Sequence, residues 1–501
     1  MKFLSQASAA AASNAIIAVF AVVLTLFCIG ALIVLLCKYA SDGDGKIQVG
    51  WFVAACFVGV ALRLVFALCV RGFRDDYAVF SRMFNALDKN GLGGYYTGDS
   101  SNVLYPVVYF VYLIFGGLSN ATGLSDYELG MQFMIKLPLV IADMLAALAV
   151  YLTAKRYFNK KTAFALFAFV CVCPIFFIGS SLWCTPVCFT VMFACFGCMF
   201  LAKKQHALTI AFFTAAAFSS KEGIYLFPVA CVFSCYHLVR AIVNVKNAKP
   251  QGKAVLGADY RAVITVPVGF VLSVLVAYLL GLFLVAPHSY SFFGYIYEFL
   301  LAPFVDWSYF TTDGLSIYSI FGQSGAAPSA RFPSWVFAAV FMAIVIAVVC
   351  VVYFTKRNRA TLVMLAAYSI YTMEMYYPGS SAIGFTSVLL LLVASYALVK
   401  DKRLLTVLFV AGLAYVINAV TTLAGFGYLN NLADYNFGTE GVAQAGAFQA
   451  VTITCSVFAL LAHLYFTYVA VSVGMTGQKR MLEPANGVLA SFKEYFSIKK
   501  G

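Results

Sequence analysis

Apolar runs of about 20 residues recur along the whole chain, and they constrain its fold more than any other feature. A helix of that length crosses the hydrocarbon core of a bilayer, and a backbone in lipid must satisfy its hydrogen bonds within each segment. Hydrophobic residues make up 63% of the sequence and charged residues only 11%, which excludes an ordinary soluble domain. The pattern predicts an all-α, polytopic membrane helix bundle of about thirteen transmembrane helices. The predicted spans are 14–37, 48–70, 131–152, 162–180, 184–202, 207–220, 222–243, 262–286, 334–354, 360–377, 380–400, 404–425 and 447–473.

The distribution of positive charge predicts how the bundle is oriented. The formal net charge is +13, but Lys and Arg lie mainly in short loops between spans, so we predict no nucleic-acid partner. Short cytoplasmic loops of membrane proteins carry an excess of Lys and Arg. If the helices alternate, the most basic loops all fall on one side, which we take as the cytoplasmic side. These loops are 155–161, 203–204, 240–261, 356–359, 400–403 and 478–480.

A long polar insert on the opposite side distinguishes this chain from a simple helix bundle. Residues 71–130 are predicted to form a large outer loop, because the apolar segment 105–118 is too short to span the bilayer comfortably. We predict that 105–118 is a juxtamembrane or re-entrant helix and that 76–90 is a second helix in the interface. A second outer loop is predicted at 287–332. Residues 1–480 are predicted to form a single transmembrane domain, followed by a short cytoplasmic tail, 481–501.

The fourteen cysteines are interpreted as packing residues. Most fall in or beside apolar helices. Cys195 and Cys198 have the spacing of a metal or redox pair, but no histidine and no second pair lies nearby in the sequence. We therefore predict no metal site formed by the cysteines.

Acidic residues near the predicted outer face are candidates for chemistry, because charge at the edge of a membrane is costly and usually has a use. Asp75 and Asp76 are adjacent and open the outer loop, although an isolated acid pair is also typical of a solvated loop. The other candidates are Asp143, Glu222, Asp306, Asp313 and Glu374.

Each of these acids also has a structural interpretation. Asp143 follows Lys136 by seven residues on one helix face, a spacing that is also typical of a buried polar pair that holds helices together. Lys221 and Glu222 are also consistent with a solvated turn. Glu374, between two methionines, is interpreted as structural unless a partner lies nearby.

An ordered set of short motifs resembles the type C glycosyltransferases. The set is Asp76-Tyr77 with Phe80, then Tyr105-Pro106, then Lys136-Leu-Pro138 and Ala142-Asp143. It is most similar to the asparagine-linked-glycosylation glucosyltransferases and to the bacterial polyprenyl-phosphate-dependent mannosyl- and glucosyltransferases. In that superfamily an Asp in the first outer loop begins one juxtamembrane helix, and a Tyr-Pro-Pro motif begins another.

The chain departs from the family pattern in three places. Val107 replaces the second proline of Tyr-Pro-Pro. The bacterial Trp-Gly-Gln-x-Asp pattern is present only as Trp183 and the four residues after it, without the Gln and the Asp. The His-Glu-Arg/Lys signature aligns with Glu374 and its two flanking methionines, so both basic groups are lost.

The resemblance implies a hexosyltransferase that moves a sugar from a polyprenyl-phosphate donor to an acceptor glycan, lipid or protein, with inversion at the anomeric carbon. It implies that Asp76 is the general base, with Asp75 the second choice. The cations expected to meet the donor phosphate are Lys221, Lys136, Arg82 and Arg331. Together with these, the substrate-binding residues implied are Tyr105, Asp143, Glu222 and Glu374.

The resemblance also sets the expected location and partners. The chain is expected to be a multi-pass protein of the cell membrane, if the source is bacterial, with its catalytic face outward. No cofactor is established, and a divalent metal is left open. Two other classes remain: a transporter or lipid flippase, and a catalytically impaired assembly subunit. A transporter would more naturally show inverted repeats and charge near the bilayer midplane.

Overall fold

The computed structural model describes residues 2–40, 47–90, 105–124, 127–248, 257–285, 313–324, 334–356, 358–425 and 446–497, together with residues 294, 297 and 311. These residues are nearly all helical and contain no strand, only isolated bridges from Thr311 to Ser324 and Ser380. The all-α prediction is therefore confirmed. The long helices are α1 (Lys2–Tyr39), α2 (Val49–Cys69), α3 (Arg74–Asn90), α4 (Pro106–Thr122), α5 (Glu128–Ala154), α6 (Lys160–Val172), α7 (Val187–Ala202), α8 (His206–Ala217), α9 (Phe227–Ala248), α10 (Gly257–Val285), α11 (Ser334–Lys356), α12 (Arg359–Tyr376), α13 (Phe385–Val399), α14 (Lys402–Gly425), α15 (Gly446–Val471) and α16 (Val488–Phe496).

Each predicted span contains a helix, but not all of these helices are full membrane spans by length and composition. Within the described part of the chain, eight helices are long and apolar enough to cross a membrane. The five other predicted spans correspond to α6, α7, α8, α11 and α12, of which α8 has only 12 residues. The polytopic membrane architecture is confirmed. Among the described residues, eight helices are long and apolar enough to cross a membrane, compared with thirteen predicted spans.

The prediction of one continuous span at 162–180 is wrong. Helix α6 ends at Val172, and Cys173 is extended (φ −75°, ψ 129°) because a residue that precedes a proline disfavours the helical conformation. A 3₁₀ turn, Pro174–Phe176, and a π-helical turn, Ile178–Trp183, follow. This irregular stretch carries polar backbone and side-chain groups into the interior at one end of the bundle.

Helices α5 and α13 form the centre of the bundle. Helix α5 packs against α2, α4, α6, α7 and α13. Every residue of α13 is buried, as expected for a helix that is apolar on all sides. By contrast, only 17% of the residues in the apolar stretch of α2 are buried, so most of its surface faces outward.

Basic loops meet at one end of the bundle, which we call the basic end. Asn159 donates to the carbonyl of Tyr39 at 2.7 Å, and the Lys400 ammonium lies 4.7 Å from the ring centroid of Phe158. Lys402 forms an ion pair with Glu494 of α16 at 3.2 Å. These contacts confirm that the basic loops 155–161 and 400–403 share one end with the C-terminal segment.

The opposite end, which we call the site end, holds 70–73, 173–186, 218–226 and 377–384. Helix α4 lies there beside the first part of α5. The Tyr112 hydroxyl of α4 donates to the carbonyl of Ile135 at 2.6 Å, and the amide of Val107 donates to the carbonyl of Phe218 at 3.3 Å. The start of α4 therefore lies at the site end. That 105–118 does not cross the membrane stays a prediction.

Candidate functional site

Helix α3 is amphipathic, and its apolar face fixes it on α4. Phe80, Met83 and Phe84 are buried, whereas Arg82 is exposed. The Phe80 ring stacks on Tyr112 with a centroid distance of 4.3 Å. A helix with one apolar face and one polar face is the structure predicted for 76–90, and the first acidic residues of the outer loop therefore begin an ordered helix.

The start of α3 is held by close backbone packing against the irregular stretch 178–184. The amide of Phe73 donates to the carbonyl of Trp183 at 2.8 Å, and the two aromatic rings stack at 4.9 Å. Gly72 has a φ of +110°, and a Cβ there would lie 2.7 Å from the carbonyl oxygen of Trp183 and 2.9 Å from the Cβ of Cys184. Only glycine fits this position, for both conformational and steric reasons. The junction sets where the first turn of α3 points.

Asp76 lies in this first turn and is partly exposed. Its carboxylate and the Lys136 ammonium are both within electrostatic range of Cys184. The helix N-terminus favours a negative charge in the first turn, so the position favours the ionised carboxylate. Burial raises the pKa of the neighbouring Tyr77 to about 12, so its hydroxyl stays protonated near neutral pH. Asp76 is therefore better suited than Tyr77 to accept a proton. The side chain of Asp75 lies outside the described part of the chain.

Lys136 caps the end of α2. Its ammonium donates to the carbonyl of Ser181 at 2.7 Å and to the carbonyl of Val70, and Gln132, one turn earlier, donates to Ala67 at 2.6 Å and to Val70 at 2.8 Å. The last carbonyls of a helix have no partner within it, and a lysine is well suited to them. Lys136 is fully buried, so the structure assigns it a structural task. A contact with a donor phosphate remains a prediction.

Asp143 forms a buried ion pair, but with a residue other than Lys136. Its Oδ2 lies 3.4 Å from Nε of Arg63 on α2 and accepts a hydrogen bond from Ser180. Arg63 also donates to the carbonyls of Val170, at 3.1 Å, and of Cys171. The interpretation of Asp143 as part of a buried polar pair is confirmed. Pairing with Lys136 is wrong, because Lys136 is committed to the end of α2.

Sequence reasoning missed Arg63, although the sequence contained a signal for it. It is the one ionisable basic residue within the predicted span 48–70, and charge inside a span usually has a buried partner. The structure buries it fully between α2, α5 and the end of α6. It ties the broken end of α6 to the bundle and so supports the stretch against which Gly72 packs.

A second group of candidate residues converges at the site end around two carboxylates, Glu222 and Glu374, which we call the carboxylate pair. Glu222 is 2% exposed and Glu374 is 1% exposed. Glu374 is within electrostatic range of Glu222, Lys221 and Asp313. Oε2 of Glu222 accepts no hydrogen bond from any described residue, and the Glu374 carboxylate is approached by the backbone amide of Ser381. The interpretation of Lys221-Glu222 as a solvated turn is wrong for Glu222, whose side chain points into the protein.

Lys221 and the turn 377–384 close this group. The Lys221 ammonium donates to the carbonyl of Gly379, which joins the segment after α8 to the turn after α12. Gly384, at the end of the turn, packs directly on Glu374: a Cβ there would lie 2.4 Å from the carboxyl carbon. The glycine therefore leaves room for the Glu374 side chain.

The end of the second outer loop packs on the same turn. Thr311 donates to the carbonyl of Ser380 at 3.0 Å, and Asn418 of α14 donates to the carbonyl of Asp313 at 2.8 Å. Asp313 is thereby brought beside the carboxylate pair. The described parts of the predicted outer loops 71–130 and 287–332 contact segments at the same end of the bundle.

Helix α7 connects the Asp76 region to the carboxylate pair. Cys184, near Asp76, is three residues before the start of α7, and Thr190 on its first turns lies 2.6 Å from the hydroxyl of Ser220. Tyr105, at the start of α4, is half-buried and lies within electrostatic range of Glu222. The structure therefore gathers Asp76, Tyr105, Glu222 and Glu374, together with Lys221, at the site end.

One predicted phosphate ligand, Arg82, points away from this arrangement. Arg82 is exposed, and its Nε donates to the carbonyl of Ala78 in its own helix at 3.2 Å. Arg331 lies outside the described residues, as does Asp306.

Within the described part of the chain, no group of three or more His, Cys, Asp or Glu side chains has the arrangement of a metal site. Cys195 and Cys198 are buried and free.

Comparison with known proteins supports the relationship inferred from the motifs. Residues 129–269 match the family model described as dolichyl-phosphate-mannose-protein mannosyltransferase, a family of the type C glycosyltransferase superfamily. The match covers α5 to the middle of α10 and includes Lys136, Asp143, Lys221 and Glu222. No curated protein and no solved structure matches the chain. The type C resemblance is confirmed, and the match supports a membrane glycosyltransferase of the mannosyltransferase type.

Proposed function

We propose that this protein transfers a hexose, with mannose the first candidate, from a polyprenyl-phosphate donor to an acceptor at the outer face of the membrane. The observation that carries the proposal is the position of Asp76. It begins an amphipathic helix directly after a transmembrane helix, and the Gly72–Trp183 junction holds it in place. A lipid-linked donor stays in the bilayer, so its sugar–phosphate bond lies at the level of such a helix.

Asp76 acts in this proposal as the general base. An acceptor hydroxyl has a pKa far above neutral, so it needs a carboxylate at hydrogen-bond distance as it attacks. The acceptor oxygen forms a bond to the anomeric carbon, and the bond from that carbon to the phosphate oxygen breaks. The electron pair leaves with the polyprenyl phosphate, and the acceptor proton passes to Asp76. Direct displacement inverts the anomeric centre.

Lys221 is the cation we assign to the departing phosphate. It lies at the site end, it is partly exposed, and its described hydrogen bond uses one of three N–H donors. A positioned cation stabilises the negative charge that develops on the leaving group. Lys136 is less suited to this task because its ammonium already serves two backbone carbonyls.

The carboxylate pair is assigned to substrate hydroxyl groups. Buried carboxylate oxygens without a hydrogen bond are costly, and bound hydroxyl donors would remove that cost. Glu374 and Glu222 therefore suit a sugar or another polyhydroxylated acceptor. The lost basic groups beside Glu374 remove a phosphate contact from this position, which fits an acceptor better than a donor phosphate.

The test uses the purified full-length protein, radiolabelled polyprenyl-phosphate mannose and acceptor fractions from the native membrane. Asp76→Asn keeps the size of the side chain but cannot accept the proton, and loss of a general base typically lowers the rate by about 10²–10⁴-fold. Donor binding should change little. Asp75→Asn is the comparison variant. Neighbouring positions of a helix are about 100° apart around its axis, so the effect should be milder.

Two results would contradict the proposal. Equal turnover of the wild type and Asp76→Asn at equal protein levels would remove Asp76 from the mechanism. Failure of the wild type to transfer any of a panel of polyprenyl-phosphate sugars to any native membrane fraction would instead favour a transporter or an assembly subunit.

A further inference from the structure

A positively charged cleft at the basic end is not used by the proposed reaction. It lies between the start of α8, the second half of α9 and the start of α10, and its volume is about 620 Å³. Lys204, Arg240 and Arg261 line it, with His206 and His237 between them. The rings of His206 and His237 are 5.1 Å apart, so they join α8 to α9 at this point. The cleft is at the far end of these helices from Asp76 and the carboxylate pair.

The three cations of the cleft have no acidic partner among the described residues. No described acid lines the cleft, and neither Lys204, Arg240 nor Arg261 forms an ion pair with a described residue. Arg240 donates a 3.4 Å hydrogen bond to the hydroxyl of Tyr236, one turn earlier in α9. Three like charges held around one cleft repel one another, and an anion bound between them would relieve that repulsion.

The cleft continues into an apolar groove along the membrane-facing side of the bundle. Ala207 and Leu208 line both the charged cleft and a second cavity of about 350 Å³ between α8 and α10. Leu272, which lines the second cavity, is 51% exposed. The ligand that fits therefore has an anionic head and an apolar chain.

A second apolar surface flanks the charged cleft on the other side. Val239 and Val243 of α9 are exposed and lie close to Arg240 in the sequence. Ile264 of α10 is also exposed and lies three residues after Arg261. A lipid with two chains can place one along the α8–α10 groove and the other along this surface. A glycerophospholipid has that shape, whereas a polyprenyl phosphate has one chain.

We propose that this cleft binds the phosphate headgroup of an anionic glycerophospholipid in the leaflet at the basic end. Basic pockets between transmembrane helices on the cytoplasmic side are recognised places for such headgroups. The positive end of the α8 dipole also faces the cleft and favours an anion there. Gln205, the N-cap residue of α8, makes no side-chain hydrogen bond to the first amides of the helix, so these amides can contact the headgroup. The lipid would hold α8, α9 and α10 together at the end away from the chemistry.

The experiment measures lipid binding to the detergent-purified, delipidated full-length protein by native mass spectrometry. Phosphatidylglycerol is titrated in parallel with phosphatidylcholine, polyprenyl phosphate and inorganic phosphate. The double variant Arg240→Gln/Arg261→Gln should bind phosphatidylglycerol at least about ten-fold more weakly than the wild type. The matched control Arg156→Gln/Lys160→Gln removes two exposed charges from the same end and should bind as the wild type does.

Two sets of results would overturn the proposal. Equal loss of binding in both double variants would overturn the site and leave only general charge attraction. Equal binding of phosphatidylcholine, or preference for polyprenyl phosphate or inorganic phosphate, would overturn the assignment to an anionic glycerophospholipid. If Arg240→Gln/Arg261→Gln does not fold, Lys204→Asn, which removes one exposed charge from the cleft, is measured in its place. It should also bind phosphatidylglycerol more weakly than the wild type does. The readout does not depend on transferase activity, so it is independent of the proposed function.

Discussion

Glu374 shows how a single residue can be placed at a high cost in stability. Its side chain is 1% exposed, its carboxyl group is approached by the backbone amide of Ser381, and a second acid, Glu222, lies nearby. Burying a polar group whose hydrogen-bonding capacity is not fully met typically costs about 1–3 kcal/mol. Gly384 also keeps the space next to it clear. A residue kept under these conditions is better explained by a ligand than by packing.

We expect Glu374→Gln to raise the KM for the acceptor about ten-fold with little change in kcat, because a charge-assisted hydrogen bond is worth roughly 1.5–3 kcal/mol. Thermal stability should stay unchanged or increase, since a neutral amide is cheaper to bury. Steady-state kinetics and thermal unfolding in detergent measure both effects. Glu483→Gln, at an exposed position of the C-terminal segment, is the control. Unaltered kinetics combined with higher stability would show that Glu374 has no part in acceptor binding.

Arg63 and Asp143 illustrate the opposite situation, in which both buried charges are satisfied. Arg63→Met should destabilise the protein by about 3–5 kcal/mol, because it leaves the Asp143 carboxylate buried without its cation. The double variant Arg63→Met/Asp143→Leu should regain much of that loss, since it removes both desolvation penalties. Unfolding in detergent, followed by circular dichroism, compares the two. If the double variant is as unstable as the single one, the ion pair is not the main source of the effect.

At the scale of the element, α3 depends on the junction that precedes it. The helix begins where Gly72 and Phe73 lie against Trp183 and Cys184, and its apolar face then packs on α4. The position of Asp76 is therefore set by contacts that lie far away in the sequence. A displacement of about 1 Å at a reacting group can cost about 10²-fold in rate.

We expect Gly72→Ala to lower turnover by about 10²-fold or more while the bundle stays folded, because the new Cβ must push α3 away from the Trp183 carbonyl. Transfer assays and limited proteolysis measure activity and folding. Gly117→Ala on α4 is a matched control, since a Cβ at Gly117 meets no atom within 4 Å. Full activity of Gly72→Ala would mean that the start of α3 adapts freely, and that the junction does not position Asp76.

At the scale of the whole molecule, the basic and site ends define the orientation of the bundle. The basic loops 155–161 and 400–403 lie together at one end, as the positive-inside rule requires if that end is cytoplasmic. The acids proposed for the chemistry lie at the other end. This separation predicts that the reaction occurs on the outer face.

Cysteine labelling tests this orientation in a background without native thiols. Tyr127→Cys, at a position 70% exposed near the site end, should react with an impermeant reagent added from outside. Arg156→Cys, exposed at the basic end, should react only after the membrane is opened. Reaction of both positions from the same side would contradict the alternation of the helices. Reaction in the reverse order would place the site end in the cytoplasm.

The sequence alone determined the helical membrane architecture, because span length and loop charge are local properties of the chain. The amphipathic helix after α2 also follows from the local sequence pattern. Tertiary structure alone decided which charges meet. Lys136 and Asp143 lie on one helix face, yet Lys136 caps α2 whereas Asp143 pairs with Arg63. Glu222 and Glu374 are 152 positions apart in the sequence, and they come together because the segment after α8 docks on the turn after α12. Side-chain partners in a bundle depend on which helices pack side by side, and no local pattern encodes that choice.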